Sequence, residues 1–200
     1  MNFMIYKMQF SNFTFYILFH VSTSETPLLE LLMRREIKTA FTDWIAETIE
    51  GKKVVAFTLN FRSRLQGERL TEELALATVR RYYNGLCRKA YGPRASARND
   101  PAKLQFAVVK EGKISRDDHT AIQLHVHGVI EVPKGMRVSQ WEDVCESDWI
   151  SLAWADRTSH DFKRYRDEGW LEYMLKSRTK EDVEASLVLE LLNLRSFRDV

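Results

Sequence analysis

Hydrophobic positions along the chain recur at two spacings, and the switch between them marks out the elements. Leu29, Leu32, Met33, Ile37, Phe41, Trp44, Ile45 and Ile49 recur at helical spacing. Thr26 can cap that helix, Pro27 is tolerated in its first turn and Gly51 closes it. From Lys53 to Phe61 the period is two, with Val55, Phe57, Leu59 and Phe61 on one strand face and Thr58 and Asn60 on the other. Arg62–Arg69 is a polar connection. A helix follows from about Thr71 to Tyr91, turning Leu74, Val79, Tyr82 and Leu86 to a core, and Gly92-Pro93 ends it. Lys103–Glu111 alternates again, with Leu104, Phe106 and Val108 on the apolar face and Glu111 opposite. After a polar turn over 112–120, Ile122, Leu124, Val126 and Ile130 form one face of a strand closed by Pro133. Gln123, His125, His127 and Glu131 form the other. These two strands read as an antiparallel hairpin with a long loop.

Further on, Ser139-Gln140-Trp141-Glu142 has the spacing of a capping box, which predicts a helix from near Gln140. A short strand falls within 157–163. Asp167 can cap a helix over Gly169, Trp170, Leu171, Tyr173, Met174 and Lys176, and Thr179 can cap a last amphipathic helix with Val183, Leu187, Leu191 and Leu194. The element order predicts an α+β domain, with each strand presenting one apolar and one polar face. Helices mainly on one face would leave the polar face open.

The first 23 residues stand apart. Phe10–Val21 is apolar behind Lys7, as in a signal peptide, but Ser11, Asn12 and Thr14 interrupt it and no small-x-small cleavage site follows. It is too short and broken to span a bilayer. The division expected is an extension over 1–25, a helix over 26–52 and the main domain over 53–200.

Length and charge narrow the classes. Two hundred residues, 44% of them hydrophobic, suffice for one well-filled domain. A net charge of +2 does not announce a nucleic-acid binder. The local distribution is more informative: Arg80, Arg81, Arg88, Lys89, Arg94, Arg98 and Lys103 stand against only Asp100, which suits either a phosphate backbone or a solvated helix face followed by a charged loop. An open sheet face bearing Thr58 and Asn60, bordered by Arg80, Arg81, Arg88 and Lys89, is a seat for nucleic acid. Cys87 and Cys145 lie far apart with no Cys-x-x-Cys company, which argues for a reducing compartment and against a zinc framework.

The candidate chemistry gathers in two places. His125 and His127, two apart on one strand face, can grip one metal ion. Glu111 is the first choice of carboxylate to complete the set, with Asp117, Asp118 and Gln123 behind it. Two imidazoles and one carboxylate leave positions for substrate and water. With a phosphate bound, Mg²⁺ or Mn²⁺ would act as a Lewis acid on the phosphoryl oxygen. Tyr173 and Lys176 are three apart and share a helix face. A phenol is a poor nucleophile unless activated, and a nearby ammonium or a metal-polarised phosphate would help it.

Val55-Ala56-Phe57-Thr58-Leu59-Asn60, His125-Val126-His127-Gly128 and Trp170-Leu171-Glu172-Tyr173-Met174-Leu175-Lys176 resemble, in order, the three motifs of the HUH-superfamily endonucleases. The nearest type is the rolling-circle replication initiator (Rep) of plasmids, phages and small single-stranded DNA viruses. The resemblance covers about residues 53–179. It implies a ferredoxin-like or RRM-like antiparallel sheet with the histidines on a central strand. It also implies a divalent ion held by His125, His127 and a third ligand, for which Glu111 is suitably placed. Tyr173 would attack single-stranded DNA, often at a hairpin origin, giving a 5′-phosphotyrosine and a free 3′-hydroxyl that later reverses the reaction. Lys176 would assist. A single tyrosine in the motif implies the one-tyrosine type. No Gly-x-x-x-x-Gly-Lys-[Ser/Thr] motif is present, which implies a separate helicase as partner. The compartment implied is a prokaryotic cytoplasm, or a host nucleus for a virus, with no membrane partner.

Two other readings remain open from sequence. His125-x-His127-x-x-x-Glu131 also satisfies the metal motif of cupin barrels, although His119 and Val138 stand where its flanking glycines belong. A non-catalytic single-stranded nucleic-acid binder would explain the basic stripe and leave Tyr173-x-x-Lys176 accidental.

Overall fold

A computed structural model of the chain describes residues 2–10, 13–21, 26–93, 104–112, 114, 123–167 and 169–175, with side chains described from 36 onward except 37. The elements are β1 (Asn2–Phe10), β2 (Phe13–Val21), α1 (Thr26–Ile49), β3 (Val54–Asn60), β4 (Arg64–Leu65), β5 (Glu68–Arg69), α2 (Glu72–Tyr91), β6 (Phe106–Glu111), β7 (His125–Glu131), α3 (Val138–Ile150), β8 (Asp161–Arg164) and α4 (Gly169–Met174). β1 and β2 pair as an antiparallel hairpin from Asn2↔Val21 to Phe10↔Phe13.

β3, β6, β7 and β8 form one sheet in the order β6-β7-β3-β8, and every neighbouring pair is antiparallel. The chain order β3-α2-β6-β7-α3-β8 with this strand order is the ferredoxin-like arrangement within an α+β fold. The histidine strand β7 is central, as expected.

One sheet face is built from the alternation already visible in sequence. Val55, Phe57 and Leu59 of β3, Phe106 and Val108 of β6, and Val126 and Ile130 of β7 are all buried there. Against them lie Val79, Tyr82 and Leu86 of α2 and Trp141, Cys145 and Trp149 of α3. Burying an aromatic or branched aliphatic side chain stabilises by roughly 1.5–3 kcal/mol, so this layer dominates the core. α2 starts as expected, with Leu74 N–H donating to the Thr71 side chain at 3.3 Å, and ends at Gly92, whose φ is 91°.

The opposite face departs from the expectation of an open polar surface. Val54, Ala107, Val109 and Val129 point that way and are buried under Phe41, Ile45 and Ile49 of α1 and under Leu171, Met174 and Leu175 at α4. These small strand residues, interleaved among polar ones, give the face a dry end. α1 therefore packs on the sheet from the side away from α2.

α3 begins earlier than the capping-box spacing predicts. A turn closed by Met136 N–H to Pro133 O at 3.0 Å, with Gly135 at φ 87°, delivers Arg137 in extended conformation as the N-cap. The first helical bond runs from Trp141 N–H to Arg137 O. Ser139 thus lies inside the first turn and caps nothing. The last expected helix, at Thr179–Leu194, lies outside the described residues.

Candidate metal centre

Cross-strand register sorts the second sheet face into rows. Val109, His127, Thr58 and Asp161 are successive neighbours across β6, β7, β3 and β8, and Glu111, His125 and Asn60 form the next row outward. The rows in the other direction hold Ala107, Val129 and Ala56. One end of the face is therefore apolar and covered by α1, and the other carries the polar groups.

At that polar end three ligand atoms converge. His127 Nε2 lies 3.1 Å from Glu111 Oε2, His125 Nε2 lies 3.7 Å from the same oxygen, and the two Nε2 atoms are 3.0 Å apart. Glu111 and His127 are almost fully buried, at 3% and 1% exposure. A buried carboxylate and two imidazoles this close need a proton or a cation among them, because the atoms that converge otherwise present only lone pairs.

The other ring nitrogens fix this orientation. His125 Nδ1 lies 2.8 Å from Gln123 O. A carbonyl only accepts, so Nδ1 carries a proton, and a ring protonated there alone turns its Nε2 lone pair inward. His127 Nδ1 lies 2.9 Å from Thr58 Oγ1, which can accept from it in the same way. Imidazoles whose far N–H is held by an oxygen are the usual form of metal-ligating histidine. An ion about 2.1 Å from each of two atoms at a right angle leaves them about 3.0 Å apart, so the spacings fit a divalent ion. Among the described residues, Glu111, His125 and His127 form a group able to hold a metal.

α4 brings an aromatic pair against this centre. Asp167 Oδ1 accepts from Gly169 N–H at 3.0 Å, the cap expected from sequence. Leu171, Met174 and Leu175 are buried in the second core and lock the helix down. Trp170 Nε1 donates to Gly128 O at 3.2 Å, and the Tyr173 ring stacks on Trp170 with centroids 5.4 Å apart. The Tyr173 ring also stands edge-on to His127, at 5.1 Å. The residue remains 43% exposed while its ring abuts the centre.

The fold thus brings Glu111, His125, His127, Thr58 and Tyr173 together from four elements. Thr58 supports a histidine instead of offering its hydroxyl to solvent. Asn60 donates to Ser159 O. Glu131, the carboxylate of the cupin-type motif, lies apart from the group and accepts from Gln105 N–H at 3.0 Å. The sheet is an open four-stranded layer and not a barrel.

Arg80, Arg81, Arg88 and Lys89 are not brought to the centre. They belong to α2, which covers the opposite sheet face, and they are exposed on its outer side. Arg80, Arg81 and Arg88 border a shallow surface hollow, and Lys89 pairs with Asp148 at 2.7 Å. Lys176, Arg94, Arg98, Lys103, Asp117 and Asp118 lie outside the described residues.

The sequence reading missed Trp170 as a support for Tyr173. A tryptophan three residues before the tyrosine, on the same helix face, was its signal. Among the described residues, no helix is long and apolar enough to cross a membrane. No family model, curated protein or solved structure matches this chain.

Proposed function

We propose that the protein is a metal-dependent endonuclease and strand transferase of the HUH type, acting on single-stranded DNA as a replication initiator of a mobile element. The observation that carries the reading is the juxtaposition of the exposed Tyr173 with the buried Glu111–His125–His127 group, 5.1 Å from ring to ring at His127. A divalent ion bound by the three ligands would supply Lewis-acid polarisation of the scissile phosphate. The remaining chemistry belongs to the chain. Tyr173 Oη forms a bond to phosphorus, the bond from phosphorus to the 3′ oxygen breaks, and the phenolic proton ends on the released 3′-hydroxyl. The reverse attack by that hydroxyl rejoins the strand, so the phosphoester energy is conserved and no nucleotide triphosphate is required. Lys176, three residues on in the sequence, is the proposed helper.

Two imidazoles with one carboxylate make a softer set than the all-oxygen shell Mg²⁺ prefers, so Mn²⁺ is the first ion to test, with Mg²⁺ beside it. The full chain incubated with single-stranded oligonucleotides and Mn²⁺ is expected to give a denaturant-resistant protein–DNA band. Tyr173→Phe should abolish the band, and His125→Ala with His127→Ala should abolish it in another way, through loss of the ion. A band that persists in the phenylalanine variant removes Tyr173 as nucleophile. Its absence from the wild-type chain across both ions and a broad set of oligonucleotides removes the nickase reading.

A further inference from the structure

We infer that a groove lined by Arg62, Arg64 and Arg69, beside the metal centre, holds the phosphate backbone of a single strand as it runs away from the reacting phosphate. The inference rests on the single-stranded DNA reading above for its ligand, but on separate residues for its evidence. A cavity of about 1200 Å³ opens at the polar end of the sheet, bordered by these three arginines and by Asn60 and Gln123. Asn60 is the cross-strand neighbour of His125, and Gln123 O holds the His125 ring. The groove therefore starts where the ligand group ends.

The small hairpin β4–β5 that walls the groove is built in an unusual way. Gln66 at φ 49° and Gly67 at φ 86° make its tight turn, and the register sets Arg64 directly opposite Arg69. Like charges directly across a strand pair repel and weaken the hairpin. The other cross-strand pair, Leu65↔Glu68, turns Leu65 against the main core, so the arginine pair faces away from it. Leu70, buried at the hairpin's base, holds the strand pair in place, with its N–H donating to Ser63 O at 3.0 Å. Arg62 is fixed by Nε donating to Ala155 O at 3.0 Å. A strand pair that sets two arginines directly opposite each other carries a repulsion that a chain of phosphates would relieve.

Acidic groups also border the groove, and each has its own partner. Glu72 pairs with Lys110. The Asp156 carboxylate accepts from Thr158 N–H and Oγ1 and from Ser159 N–H. The carboxyl of Glu73 is held below its usual range by its own backbone N–H and by Thr71. Arg64 and Arg69 also border the groove and, among the described residues, stand outside any ion pair, so with Arg62 they supply its positive charge.

The test uses the full chain carrying Tyr173→Phe, so that binding is read without cleavage, and a fluorescent single-stranded oligonucleotide followed by anisotropy across salt concentrations. Arg64→Gln with Arg69→Gln is expected to weaken binding at least tenfold at low salt. It should also flatten the salt dependence of log K by about 1.4, two phosphates at roughly 0.7 each for a single strand. Arg80→Gln with Arg81→Gln, on the far side of the sheet, should change both quantities little. Affinity and slope unchanged in the Arg64/Arg69 variant, or lost equally in the Arg80/Arg81 variant, overturn the groove. The two proposals fail separately. An adduct with no dependence of binding on Arg64 and Arg69 leaves the nickase and removes the groove, and arginine-dependent binding without any adduct does the reverse.

Discussion

The candidate metal centre is decided at single side chains, and the deciding one lies outside the three candidate ligands. Thr58 Oγ1 sits 2.9 Å from His127 Nδ1, and His127 is buried. Valine has the same shape without the hydroxyl. Thr58→Val leaves the Nδ1 proton with no acceptor from Thr58 and frees the ring to place its proton on Nε2, where it would block the ligand position. Loss of such an outer partner lowers metal affinity by about 10–100-fold in other sites. Titration calorimetry with Mn²⁺ should therefore show binding weakened by about tenfold or more in Thr58→Val. An unchanged dissociation constant would mean that the hydroxyl does not orient the ring. The same residue shows the reach of a strand pattern. Alternation puts Thr58 on the histidine face, but whether it meets solvent or a histidine depends on register, and register is set by the pairing of β3 with β7.

At the level of elements, the site depends on how closely β7 can be approached from both sides. Gly128 lies between them. On one side the Phe57 ring crosses it, so an added Cβ would stand 2.1 Å from Phe57 Cζ and 2.6 Å from Ala107 O. On the other, its carbonyl anchors Trp170, which stacks on Tyr173. Phe57 is also stacked on Phe106 at 5.6 Å, so it cannot swing aside without disturbing the core. Gly128→Ala is expected to lower stability by about 1–3 kcal/mol, as overpacking does, read from the midpoint of urea unfolding. A midpoint within error of the parent would show that the ring gives way freely. Element type was legible in the sequence because hydrophobic period and punctuation agreed: Thr71 and Gly92 bracket α2, and alternation marks β3, β6 and β7. The ligand set was legible for the same reason, since period two puts Glu111, His125 and His127 on matching faces. The dry end of that face was not legible. Val54, Ala107, Val109 and Val129 are small residues between polar ones, and only the packing of α1 and α4 onto them shows that they form a second core. The groove arginines escaped notice because Arg62–Arg69 has no period, and their arrangement follows from a two-residue turn.

For the molecule as a whole, the candidate metal centre would link function to stability. Its ligands come from β6 and β7 and its support from β3, so the group exists only in the folded sheet. An ion that binds the folded state alone stabilises it by about 2.7 kcal/mol at one hundred times its dissociation constant. For a chain of this size that raises the melting temperature by roughly 2–4 °C per kcal/mol. Without an ion, the Glu111 carboxylate is buried away from water with no cation beside it and is a source of instability. Glu111→Gln removes that charge and keeps the shape, so its effects should have opposite signs in the two states. In chelator, the variant should melt at or above the wild-type temperature. In excess Mn²⁺, the wild-type chain should gain several degrees, by about 2–4 °C per kcal/mol, while the variant gains far less. A variant that melts lower in chelator and still responds fully to Mn²⁺ would place the ion elsewhere. The crossing of the two curves is the expected mark of a site kept for binding at the expense of the empty fold.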